Sequence, residues 1–140
     1  MDAAERRRLE AAYLAAEYRV DDPRLRCVLA IGQPCAALSD WLRQHHYDSA
    51  AFITAWNPRS EIRPDDENSE ALRQLRGAVE ALGLPALIAV GRSRVAAHHE
   101  PSLLVPGLTL EGAHALMRRF EQNAFLWFER AEGRVRLEWV

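Results

Sequence analysis

Three short apolar runs constrain this chain more than any other feature: residues 27–31 (Cys-Val-Leu-Ala-Ile), 50–55 (Ala-Ala-Phe-Ile-Thr-Ala) and 86–90 (Ala-Leu-Ile-Ala-Val). Each is strand-length, and each is stopped by turn residues, at Gly32-Gln33-Pro34, at Pro58 and at Gly91. Runs of this kind read as strands covered on both faces. Helical patterns separate them. Pro34 suits the first turn of a helix that turns Ala37, Leu38, Trp41 and Leu42 inward and ends near His45-His46. A second helix runs from about residue 64 to 82 and is closed by Gly83 and Pro85. Strands joined by helices predict at least one βαβ unit, with parallel partners.

The rest of the chain adds to this frame. Residues 3–16 read as a helix with Leu9, Ala12, Tyr13 and Ala16 on one face. A short strand at 18–20 and a turn at Asp21-Asp22-Pro23 follow, and 102–105 is a further short strand. Thr109 is a good N-cap for a helix over 110–121, with Glu111 in its first turn. A closing hairpin turns at Ala131-Glu132-Gly133, and its last strand alternates Val135, Leu137 and Trp139 with Arg136 and Glu138. The order α-β-β-α-β-α-β-β-α-β-β predicts an α/β fold, a mixed sheet packed with helices, in one domain spanning 1–140. An α+β arrangement is the runner-up.

Composition limits the chemistry. All 18 basic residues are Arg, which excludes Schiff-base lysines, a P-loop lysine and a lysine general base. Any anion bound by a cationic side chain is therefore held by guanidinium. The net charge of −2, with 20 acidic residues spread along the chain, disfavours a nucleic-acid footprint. No apolar run is long enough to span a bilayer, and the charged start, Met1-Asp2-Ala3-Ala4-Glu5-Arg6-Arg7-Arg8, lacks the apolar stretch of a signal peptide. A cytoplasmic location without membrane contact is the expectation. Cys27, in a strand, and Cys35, early in a helix, lack metal-type spacing and read as packing residues.

In an open α/β sheet, ligands sit beyond the carboxyl ends of the strands. Three segments would share one rim if the strands are parallel: Gly32-Gln33, Trp56-Asn57-Pro58-Arg59-Ser60, and Gly91-Arg92-Ser93-Arg94. The middle segment stands out, because Trp, Arg and hydroxyl residues are not turn chemistry. A purely structural corner is the competing account. Asn68 adds to it: Asn68, Leu72, Leu75, Val79 and Leu82 fall at helical spacings of 4, 3, 4 and 3, which put Asn68 on the buried stripe. A buried amide needs partners, and the 57–60 turn is the nearest source. Glu100, biased to extended geometry by Pro101, is the one plausible acid/base, against the plainer reading of a solvated loop acid. Gln122 and Asn123 sit at a helix exit, where Asn123 suits a left-handed residue.

Other chemistries lack support. Adjacent residues on a strand point to opposite faces, so a histidine pair such as 45–46 or 98–99 usually offers one ligand to a given ion, and no metal-type spacing accompanies either pair, so no metal and no cofactor is expected. No GxSxG elbow, GxGxxG loop or P-loop is present.

Taken together, the aromatic segment Tyr13 to Val20, the ITAWNPRS run at 53–60, Glu67-Asn68, the run from Glu100-Pro101-Ser102 to Pro106-Gly107, and Phe120-Glu121-Gln122-Asn123-Ala124 resemble the bacterial family of unknown function DUF3293, in its order and over nearly the whole chain. The resemblance implies that Thr54, Asn57, Asn68, Glu100, Ser102, Gln122 and Asn123 are the family's recurrent polar positions. Two residues depart from it. Arg63 stands where relatives carry a Ser or Thr helix cap, and Glu121 replaces a small residue, commonly Gly.

Two functions compete. One is a site for a small polar or anionic molecule, binding or catalytic. Asn57, Asn68, Gln122 and Asn123, with Thr54 and Ser102, would supply hydrogen bonds, Arg59 with Arg92 or Arg94 would hold an anion, Trp56 would stack and Glu100 would move protons. The other is a protein-interaction or regulatory module in which those residues are structural pins. Its surface would be the Arg-rich first helix or the last strand, where the placement of Trp139 suggests a homodimer.

Overall fold

The computed structural model describes residues 1–93 and 98–140. In chain order the elements are helix α1 (Ala3–Ala15), strands β1 (Ala16–Asp22) and β2 (Leu25–Leu29), helix α2 (Ala36–Gln44), strand β3 (Ser49–Ile53), a 3-10 turn (Pro58–Ser60), helix α3 (Asp65–Ala81), strands β4 (Leu87–Ser93) and β5 (His99–Pro106), helix α4 (Leu110–Arg119), and strands β6 (Ala124–Glu129) and β7 (Val135–Trp139). The expected element order is met, with the 3-10 turn added. Helices pack on a single sheet, as an α/β fold requires.

The seven strands run β2-β1-β4-β5-β3-β6-β7 across the sheet. All six pairings are antiparallel, which corrects the expectation of a βαβ unit. Helices do join β2 to β3 and β3 to β4, but none of these strands are neighbours: β1 and β5 return between them. The sheet curls into a half-barrel, and its edges are latched by backbone hydrogen bonds. The Gly32 N–H donates to the Val135 carbonyl at 2.8 Å, and the Val135 N–H donates to the Gln33 carbonyl at 2.9 Å.

Two cores explain the unbroken apolar runs. On the concave face, Tyr18, Val20, Leu29, Phe52, Leu104 and Leu126 close around Leu38, Trp41 and Leu42 of α2. On the convex face, Ala51, Ile53, Leu103 and Val105 meet Leu75 and Val79 of α3 and Ala113 and Met117 of α4. Strand β3 feeds both, so both its faces are apolar. The outer face of β2 and β4 carries no such cover, and Val28 and Ile88 there are 45% and 51% exposed. Only the middle run is therefore covered on both sides.

Asp22 builds the first hairpin. It is 2% exposed; its carboxylate accepts from the Arg24 N–H at 2.9 Å, the Arg24 guanidinium at 2.9 Å and the Ile88 N–H at 2.9 Å, tying the turn to β4. The hydrogen bond from Arg24 leads the causes that hold its carboxyl far below the usual carboxylate range. Trp139 packs within the chain: Tyr13 meets it edge to face at 5.8 Å, and the Arg6 guanidinium lies 4.6 Å from its ring centre. Among the described residues, no helix is long and apolar enough to cross a membrane.

Candidate functional site

The corner after β3 is strained. Asn57, Arg59 and Ser60 take left-handed backbone conformations, with φ of 46°, 57° and 61°, each costing on the order of 1–3 kcal/mol. Hydrogen bonds from distant elements hold them there. The Thr54 hydroxyl donates to the Pro101 carbonyl at 2.8 Å and accepts from the Trp56 N–H at 3.0 Å. Gln122 Nε2 donates to the Trp56 carbonyl at 3.1 Å, and Asn123 Nδ2 donates to the Ser60 hydroxyl at 3.0 Å. The Arg59 N–H donates to the Glu121 carbonyl at 2.7 Å. Asn68, only 1% exposed, sits behind the corner and pins it from α3, as its helical position predicted.

The alternation of an antiparallel sheet makes β2, β3 and β4 run the same way, so their ends do share an edge. Their side chains nonetheless do not converge. Gly32 and Gln33 turn away to Val135, and β4 continues through Gly91 to Ser93, leaving Arg92 exposed. Arg94 lies outside the described residues. The starts of the returning strands complete the edge instead. Tyr18, Gly91 and Glu100 stand side by side on β1, β4 and β5. A Cβ on Gly91 would lie 3.9 Å from the Tyr18 ring and 4.0 Å from the Glu100 Cβ. A Cβ would thus sit there in ordinary van der Waals contact with both neighbours.

Glu100 is the electrostatic centre of this edge. Its side chain is 34% exposed, and His98 Nε2 lies 3.3 Å from its carboxylate. Burial pushes its pKa up; His98, and then Asn57, oppose that shift. Tyr13 and Tyr18 respond to the same surroundings. Burial pushes Tyr13 up to about 12, against the facing Ser60 hydroxyl, and pushes Tyr18 up as well; Glu100 adds to both shifts. The Tyr18 hydroxyl donates to the Tyr13 carbonyl at 2.7 Å.

The structure therefore sorts the expected residues. Asn68 binds Asn57 from behind, Gln122 reaches the neighbouring Trp56 carbonyl, and Asn57 is the last of the groups that oppose the upward shift of Glu100. Ser102 is 3% exposed, and its hydroxyl donates to the Glu100 carbonyl at 2.8 Å, a backbone support. Trp56 is half-buried. The Arg59 guanidinium is turned outward to the Glu121 carboxylate at 2.9 Å, where both side chains are largely exposed. The left-handed residue at the α4 exit is Glu121 (φ 56°), not Asn123. There the Gln122 N–H donates to the Met117 carbonyl and the Glu121 N–H to the Arg118 carbonyl. Such a paired helix ending favours Gly, so Glu121 holds a backbone conformation that suits a residue without a side chain.

Sequence reasoning did not place Tyr13 and Tyr18 in the site. The aromatic character of 13–20 was the only signal for the tyrosines. His98, in the same locus of the sequence as Glu100-Pro101-Ser102, lies beside the Glu100 carboxylate because the two are two residues apart where the chain enters β5. Among the described residues, no group of three or more His, Cys, Asp or Glu is placed to hold a metal. Two open grooves lie elsewhere. One, of about 450 Å³, runs between α1 and β7 past Leu14, Gly32 and Trp139; the other lies beside Asp48 and Arg130.

A family described as "Protein of unknown function (DUF3293)" matches the chain over residues 53–125. That span contains the corner, Asn68, Glu100, Gln122 and Asn123. No curated protein and no solved structure matches.

Proposed function

The chain belongs to the DUF3293 family, a membership that carries no activity, and we propose from the site itself that it binds a small polar molecule at the edge formed by Tyr13, Tyr18, Asn57, His98 and Glu100. One observation carries the reading. Glu100 is desolvated enough for burial to raise its pKa, yet a third of its side chain stays open to solvent. A carboxyl group that serves only to hold the fold has no need of that combination, whereas a group that exchanges protons with a ligand does. His98 would relay the proton, and Asn57 would orient the carboxylate from a corner too well held to move.

The surroundings favour a ligand that offers hydrogen-bond donors over an anion. The acceptor is Glu100, and the nearest expected anion clamp, Arg59, already pairs with Glu121. The experiment is a ligand search by mass spectrometry of gently purified protein, followed by binding measurements on Glu100→Gln and Tyr18→Phe. Both variants should weaken binding at least tenfold. Unchanged affinity in both would remove the ligand from this edge.

A second reading, an interaction module, draws on the outer face of β2 and β4, where Val28 and Ile88 are exposed. A homodimer through that face would dissociate on Ile88→Glu. Sedimentation showing one unchanged mass for the native chain and the variant would exclude it.

A further inference from the structure

Strand β7 leaves one side of its backbone open. The Val135 N–H and carbonyl both turn away from β6, to Gln33 and Gly32, whereas the Val140 N–H turns toward β6, to the Asn123 carbonyl. Backbone groups alternate sides along a strand, so Leu137 and Trp139 present their N–H and C=O on the Val135 side. β7 is the last strand of the sheet, and among the described residues no strand takes up these groups. Such an edge is a template for a further strand. The groove of about 450 Å³ between α1 and β7 runs beside it, and Leu14, Ile31, Leu137, Trp139, Arg134 and Arg136 are among its lining residues. Its helical wall is lightly held: α1 has no buried residue, and Leu14 is 55% exposed.

We infer that β7 docks an extended segment of another protein, which joins the sheet antiparallel as an eighth strand. The segment matches Arg136 to Trp139, the part of β7 beyond the Val135 latch. Leu137 and Trp139 offer it backbone donors and acceptors in a row, and an extended chain is the ligand that satisfies such a row. Its side chains follow from the alternation of a strand. One face meets Leu14, Ile31 and Trp139 and is apolar; the other lies beside Arg134 and Arg136 and is polar. Arg136 already pairs with Glu132 at 2.9 Å and Glu138 at 3.0 Å, and the Arg134 guanidinium donates to the Gly32 carbonyl at 3.1 Å. Backbone pairing and apolar contact, rather than charge, therefore drive the docking.

A second copy of this chain fits the edge poorly. Symmetric pairing about Leu137 matches Arg136 to the copy's Glu138, but it puts the copy's Trp139 opposite Val135, where Gly32 and Gln33 sit. Pairing about Glu138 sets two carboxylates directly opposite each other, which is unfavourable. A register further out leaves the two strands overlapping at Trp139 alone.

The test selects from a phage library of random peptides, about eight residues long to cover β7 with flanks, on the immobilised full chain. The enriched sequences are then made as synthetic peptides and measured by fluorescence polarisation. They should alternate apolar and polar residues. Methylating the amide nitrogens along one edge of the peptide should weaken binding about tenfold or more, and methylating those along the other edge should not. Leu137→Pro removes an edge donor that the β6 ladder does not use and should weaken binding by a similar factor. Leu14→Glu changes an exposed wall residue, so it should weaken binding with the melting temperature unchanged, and it carries the test if the proline variant fails to fold. Absence of any enriched peptide, enriched peptides without alternation, or affinity indifferent to Leu14→Glu and to both methylation patterns would overturn the docking edge. Self-association of the native chain in sedimentation, abolished by Leu137→Pro, would also overturn it, by giving the edge to a second copy.

Discussion

Asn57 and Asn68 exchange hydrogen bonds in both directions: the Asn57 N–H donates to Asn68 Oδ1 at 2.8 Å, and Asn68 Nδ2 donates to Asn57 Oδ1 at 2.8 Å. Asn68 Nδ2 also donates to the Arg63 carbonyl at 3.2 Å, and the Arg63 N–H donates to Asn57 Oδ1 at 3.0 Å. The strained corner is thereby stitched to the start of α3, a helix that has no side-chain cap of its own. The Asn57 side chain, so fixed, is among the groups that lower the Glu100 pKa against its burial.

Asn68→Leu fills much the same buried volume but leaves the Asn57 N–H without its partner and Asn57 Oδ1 with the Arg63 N–H alone. The expected loss is about 1–3 kcal/mol, measured by urea denaturation. Equal stability of variant and native chain would mean that the corner holds itself. Any ligand affinity of the Glu100 edge should fall too, because Asn57 loses its anchor.

Asp22 predicts an acid-sensitive hairpin. Its folded pKa lies below the unfolded value of about 3.9, so its stabilisation is complete above that value and is lost as pH falls through the folded pKa. Below about pH 4, stability should therefore drop in the native chain. Asp22→Asn should cost about 1–3 kcal/mol at pH 7, and the gap between the two proteins should narrow toward pH 2. A gap independent of pH, in thermal melts across that range, would show that the Asp22 charge contributes nothing.

Glu100 has the opposite sign. Its folded pKa is raised, so the native state holds its proton longer than the unfolded chain and loses stability as pH rises above about 4.3. Glu100→Gln removes that penalty. The stability of the variant relative to the native chain should increase between pH 4 and pH 8, as followed by denaturation at each pH. A difference that is flat or falls over this range contradicts a desolvated carboxyl.

Glu121 is held at φ 56°, a conformation that Gly adopts without steric cost. Its exposed pair with Arg59 contributes little. Glu121→Gly should therefore stabilise the chain by about 0.5–1 kcal/mol. A lower melting temperature in this variant would show that the ion pair outweighs the backbone strain.

Local chemistry carried the element order, because the determinants lie within a few residues of each boundary. Gly83 beyond α3 and Thr109 before α4 are examples; the Thr109 hydroxyl accepts from the Gly112 N–H at 2.9 Å. The burial of Asn68 was equally legible, since helical spacing alone sets which face a residue occupies. Pairing was not. A helix between two strands fits a parallel crossover to a neighbour or a path to a strand two or four places away. Here β1 and β5 fill the gaps, a choice made by contacts between residues tens of positions apart.

The sequence by itself determined the strands, the helices and the polar character of the 54–60 corner, because period, caps and turn residues act over short distances. Only the tertiary structure decided what stands opposite that corner. Curling and antiparallel return bring Tyr13, Tyr18, His98 and Glu100 to it, and the same curling leaves Gly32 and Gln33 at Val135. The raised pKa of Glu100 belongs to this second group. A carboxyl is shifted by the burial and the neighbours that the whole fold supplies, and none of these can be read from Glu100 and the residues beside it in the chain.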